Sequence, residues 1–87
     1  MNMSEKDEQL IALSRMSLGQ KAQVVSFSFD TESGERIQKM GLSAGEQLEI
    51  VRLPLSGEPV EIKIRGYFIS LPKQEADRIK VKLLNIP

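Results

Sequence analysis

The side chains of this chain that could do acid, base or metal chemistry are its carboxylates, because it contains no histidine and no cysteine. The residue types that most often bind transition metals or carry protons near neutral pH are therefore missing. Thiolate nucleophiles, disulfides and zinc ribbons are excluded with them. Glu32 and Glu35 stand three apart near the expected start of a helix, and Glu46 and Glu49 near the start of a strand. Such carboxylates can take a hard cation, but a tight calcium site gathers several oxygens on one loop. Acids are also the ordinary residues of helix N-termini. Gly41, Gly45, Gly57 and Gly66 match neither G-x-x-x-x-G-K-[ST] nor G-x-G-x-x-G. The serines lie in no G-x-S-x-G elbow and have no histidine to activate them. The expectation is a chain that is not an enzyme, with no catalytic residue, no cofactor and no metal site.

Recognition is the remaining chemistry. Phe27, Phe29, Tyr67 and Phe68 are the aromatic residues, and the three phenylalanines fit strand faces that a small core needs. Tyr67 beside Arg65 is either a stacking pair for a base or a tyrosine at a barrel edge. In "RLPLSGEP", Leu53 and Leu55 flank Pro54 in or beside a turn, where an interrupted strand cannot point every leucine inward. Together with Met40 and Leu42 at the end of the short helix, and with Pro59 in the turn, they either edge a groove for a protein segment or form scattered apolar surface.

The elements that must position these residues follow from composition and period. With 87 residues, 40% apolar and 28% charged, the chain is one small folded domain. Net charge is zero, but six bases against three acids from Glu61 onward make that part +3 and the preceding part −3. This asymmetry is milder than a nucleic-acid footprint. The first ten residues carry no apolar h-region and no run is long enough for a membrane helix, so a cytoplasmic protein is expected. Residues 1–12 read as a polar N-terminal arm and 13–87 as the domain, with a short helical turn from Leu10 towards Gly19. "KAQVVSFSF" alternates Val25, Phe27 and Phe29 against serines and predicts a strand with those three inward. A helix of two to three turns closes on Gly41. "EQLEIVRL", "PVEIKIR", "YFISL" and "IKVKLL" predict four more strands, the second with Val60, Ile62 and Ile64 on one face. "PKQEADRI" allows one helical turn. About five short strands with one or two short helices give a mainly β small barrel.

Several of these features recur in a known order. Leu13, Met16 and Gly19 open the domain, a helix closes on Met40-Gly41-Leu42, Gly45 follows, and then come "GEPVEI", "ISL", an acidic-alanine turn and a final valine strand. Over residues 13 to 83 the chain resembles the ferrous iron transport protein A (FeoA) family. The resemblance implies an SH3-like barrel with a helix inserted after the first strand and no known reaction of its own. It further implies a partner, a bacterial iron(II) permease of the ferrous iron transport protein B type, with a cytosolic GTP-binding domain on which the small protein docks. The same domain ends metal-dependent transcriptional repressors, so a repressor-like or nucleic-acid-binding small barrel is the alternative. Two departures from the family are an arm at 1–12 that is longer and more acidic than usual, and an extra polar residue in "LPLSGEP".

Overall fold

The computed structural model describes residues 10–28 and 31–84. Six strands make one antiparallel sheet: β1 (Leu10–Ala12), β2 (Lys21–Phe27), β3 (Gln47–Arg52), β4 (Val60–Ile64), β5 (Tyr67–Leu71) and β6 (Ile79–Leu83), in the order β1-β6-β2-β3-β4-β5. Helix α1 (Thr31–Lys39) follows β2 and helix α2 (Lys73–Ala76) follows β5. In β4 the alternation seen in the sequence holds, and Val60, Ile62 and Ile64 are all buried. Register places Ile50, Ile62 and Ile69 in one row across three strands, with Val60 opposite Leu71. Each such side chain contributes roughly 1.5–3 kcal/mol by leaving water. No polar or charged residue is buried among the described residues. One sheet face is thus closed off with only two short helices to cover it, which a single sheet achieves by coiling on itself into a small barrel.

Strand β2 departs from the expected phase. Ala22 and Val24 are buried, whereas Val25 is exposed. Val24 lies opposite Val81 and Ser26 opposite Lys80, so Val25 is an extra residue, a bulge. A one-residue insertion switches the faces of everything beyond it. Phe27, opposite Ile79, therefore turns inward again and packs against the core. Phe29 lies outside the described residues. A second irregularity between Ile50 and Arg52 does the same in β3, and Leu53 packs on the core as a result.

The N-terminal part also differs from expectation. Leu10–Ala12, read from sequence as arm and the start of a helical turn, pairs with β6 through Leu10–Lys82, Ile11–Val81 and Ala12–Lys80. The sheet therefore begins inside the segment assigned to the arm. Ile11 sits opposite the buried Val81 and packs against the core, an attraction that a helical turn at the same residues would forgo. The helical part shrinks to one 3-10 turn, Leu13–Arg15, followed by buried Met16.

Helix α1 has nine residues, too few to be stable alone. It is held by its buried Ile37 and by the way it ends. The Gly41 amide donates to the Gln38 carbonyl at 2.9 Å and the Leu42 amide to the Ile37 carbonyl at 3.3 Å. These are the two bonds of a Schellman closure, which brings the residue after the glycine back onto the helix. Leu42 and Ile37 are accordingly both in the core.

The 3-10 turn is fastened by Ser14, whose hydroxyl donates to Asp77 Oδ1 just after α2. That bond holds the Asp77 carboxyl below its ordinary value of 3.8, against the upward push of desolvation and with lesser help from the charge of Lys73. A carboxyl depressed by folding stabilises the fold above its unfolded pKa, and this contribution is lost as pH falls through the folded value. An NMR titration should therefore place the Asp77 midpoint below 3.8, and Ser14→Ala should move it upward towards 3.8. An unchanged midpoint would show that the hydroxyl does not set it.

Candidate interaction surface

The β4–β5 hairpin organises the exposed chemistry. Its turn is Arg65-Gly66, with φ of 54° and 88°. Two successive residues at positive φ make a type I′ turn, whose twist matches that of paired strands. Arginine is an unusual first residue for it, and its guanidinium is anchored. Nε donates to Glu46 Oε1 at 2.9 Å and Nη2 pairs with Glu46 Oε2. The hydrogen bond first, and the carboxylate's charge second, push the Arg65 pKa further up. Tyr67 shares the inner face with Ile64, and its hydroxyl reaches past the barrel end to donate to the Met40 carbonyl at 3.1 Å. With Arg65 held by Glu46 and Tyr67 by Met40, Tyr67 is the edge-of-barrel residue of the two readings.

The residues selected from sequence do not meet in one groove. Leu42 is fully buried and so lies off the surface, for the Schellman reason given above. Met40 is half-buried under Tyr67, at the turn end of β5. Leu53 is half-buried against the core. Leu55 stands wholly in solvent, with a relative exposure of 108%, and Pro59 is exposed. The loop that carries these last two is tied to the other end of β5. Glu58 Oε1 accepts the Lys73 amide at 2.9 Å, the Lys73 side chain lies over Gly57, and the Gly57 amide donates to the Pro54 carbonyl at 2.9 Å. A five-residue strand advances about 13 Å between its end residues, so Met40 and Leu55 belong to opposite ends of the hairpin. Of Leu42, Leu53 and Leu55, Leu55 is the one presented to solvent.

Phe68 was missed. Expected in the core, it is 63% exposed on the outer face of β5, opposite Lys63. The signal was available, because a two-residue Arg-Gly turn sets Tyr67 opposite Ile64. Phe68 must then share the face of Lys63, with Ile69 and Leu71 sharing the face of the buried Ile62 and Val60. From Phe68 one outer row runs through Lys63 and Glu49 to Lys21. Beside it lies an open groove of about 220 Å³ lined by Lys21, Gln47, Glu49, Lys63, Arg65 and Leu84. Charges alternate in sign along this row, and Phe68 is the exposed apolar residue at its end.

Among the described residues, no group of three or more His, Cys, Asp or Glu could hold a metal ion. Among the same residues, no helix is long and apolar enough to cross a membrane.

The FeoA domain model matches residues 11–83. No curated protein matches the chain in sequence. Among solved structures, an iron uptake regulatory protein (FeoA) is 25% identical, with a TM-score of 0.77 over 87% of this chain and 99% of its own. The zinc complex of Stenotrophomonas maltophilia FeoA, described as a procaryotic SH3 domain protein, is 27% identical, with a TM-score of 0.70 over 80% of this chain and 87% of its own. A manganese-dependent transcriptional repressor is 18% identical, with a TM-score of 0.80 over 88% of this chain but 43% of its own. That last likeness is one of fold. Six antiparallel strands coiled into an SH3-like barrel, a short helix inserted after β2 and a family match across residues 11–83 lead to one assignment. The chain belongs to the FeoA domain family, which is linked to ferrous iron transport.

Proposed function

We propose that this protein is a non-catalytic accessory domain of bacterial iron(II) uptake, acting in the cytoplasm by docking on the cytosolic, GTP-binding part of the membrane iron(II) permease. The family match carries the reading, and its description as an iron uptake regulatory protein in a relative fits it. Leu55 supplies a contact suited to docking, an apolar side chain presented to solvent on a loop held in place by Glu58 and Lys73. Deleting the chain should lower iron(II) uptake, and the purified protein should hydrolyse neither GTP nor ATP. Leu55→Asp should reduce copurification with the permease about tenfold, the size of a lost 1–2 kcal/mol contact, and leave the melting temperature unchanged. Equal copurification of the variant would remove Leu55 from the interface, and unchanged uptake on deletion would remove the accessory role.

A further inference from the structure

We infer that the open edge of β5 is a strand-addition site, which takes up an extended, apolar-bearing segment of a partner protein. This deepens the docking reading by naming where and how the partner binds. β5 ends the sheet and pairs only with β4. The two-residue turn makes Ile64 and Tyr67 a hydrogen-bonded pair. By the alternation of antiparallel ladders, Phe68 and Ser70 then direct their N–H and C=O groups away from β4. No other backbone group bonds to them among the described residues. Natural edges are guarded by charge, proline or brevity. Tyr67–Leu71 has neither charge nor proline inside it and is five residues long. The opposite edge, β1, is three residues long, and its outward residues Leu10 and Ala12 lie beside Lys82 and Lys80.

The side chains select the occupant. Phe68 stands exposed beside the edge, and an aromatic or aliphatic residue across from it would gain a cross-strand contact. Ser70 is followed in its row by Glu61, to which its hydroxyl donates at 3.4 Å, so an acid across from Ser70 is disfavoured. A second copy fits poorly. Antiparallel pairing centred on Ile69 would set each Phe68 against a Ser70, and Pro72 and the Gly66 turn limit the contact to one short strand. That patch falls well below the roughly 800 Å² per partner of a stable interface. The segment is therefore heterologous, extended, with an apolar side chain beside Phe68 and no acid beside Ser70.

Amide exchange of Phe68 and Ser70, read by NMR on the full chain, tests this. Two probes serve: the cytosolic domain of the iron(II) permease, and a synthetic nine-residue peptide alternating threonine and valine about a central phenylalanine. Saturable binding of either probe that slows exchange at both amides at least tenfold supports the inference. Ser70→Pro removes the outward N–H, which an edge strand tolerates, along with the exposed hydroxyl bond to Glu61, and should weaken that binding at least tenfold. Phe68→Lys, which places a charge at the edge without altering the backbone, should do the same and serves if the proline variant does not fold. If the permease domain binds wild type and the variants equally, strand addition is overturned while docking stands. If the peptide protects the edge and the permease domain does not bind, strand addition stands and the permease reading falls. Absence of edge protection with both probes, or protection arising from self-association in sedimentation, overturns the inference.

Discussion

Gly41→Ala is expected to lower stability by about 2–3 kcal/mol, which for a domain of this size is a fall in melting temperature of about 10–20 °C. Two costs add. Gly41 has φ of +102°, and an L-residue held at positive φ costs roughly 1–2 kcal/mol. A Cβ built there would also overlap the Tyr67 hydroxyl oxygen. The tyrosine is at the surface and can swing away, so this overlap is relieved at the cost of its bond to the Met40 carbonyl, about 0.5–1.5 kcal/mol. Tyr67→Phe alone should lose that second amount and nothing else. The double variant should then cost less than the sum of the single ones, because the same hydrogen bond is lost once. Thermal and urea unfolding of the four proteins measures this. Strict additivity would show that Tyr67 does not close over the helix end, and a Gly41→Ala cost under 0.5 kcal/mol would contradict the left-handed closure.

Why some of this was legible in the sequence and some was not follows from how far each signal reaches. β3 to β6 could be read because each alternates apolar residues with charges or serine, and Gly41 marked the helix end without ambiguity. The phase of β2 could not. Val25 is as apolar as Val24, and only the pairing with Val81 and Lys80, more than fifty residues away, reveals which of them is the extra residue. β1 escaped for a similar reason. Leu-Ile-Ala suits a helical turn as well as a strand, and its choice is made by β6 at the far end of the chain. Among the candidate surface residues, Leu55 was legible because a proline and a glycine in a tight loop leave it nowhere to point but outward. Leu42 was misplaced because a Schellman closure returns the residue after the glycine to the core. Phe68 was misplaced by hydrophobicity alone, although the Arg-Gly hairpin fixed its face.

The register that places Phe68 outside and Ile62 inside makes a paired prediction. Ile62 is fully buried in the central row between Ile50 and Ile69, and Ile62→Ala leaves a cavity that neighbours from two other strands cannot fill without breaking their own pairing. Such truncations cost about 2–5 kcal/mol. Domains of 87 residues hold only about 4–13 kcal/mol in total, so a large part of the stability would go with one side chain. Phe68 is the larger residue and sits one strand over, yet Phe68→Ala should change stability by no more than about 0.5 kcal/mol, as surface substitutions do. Urea midpoints of the two variants decide the matter. If Phe68→Ala proved the costlier, the face assignment of β5 would be reversed, and the edge chemistry built on it would fall too. If the order holds and Phe68→Ala nevertheless weakens partner binding, the phenylalanine is kept exposed for that contact, since the fold itself draws nothing from it.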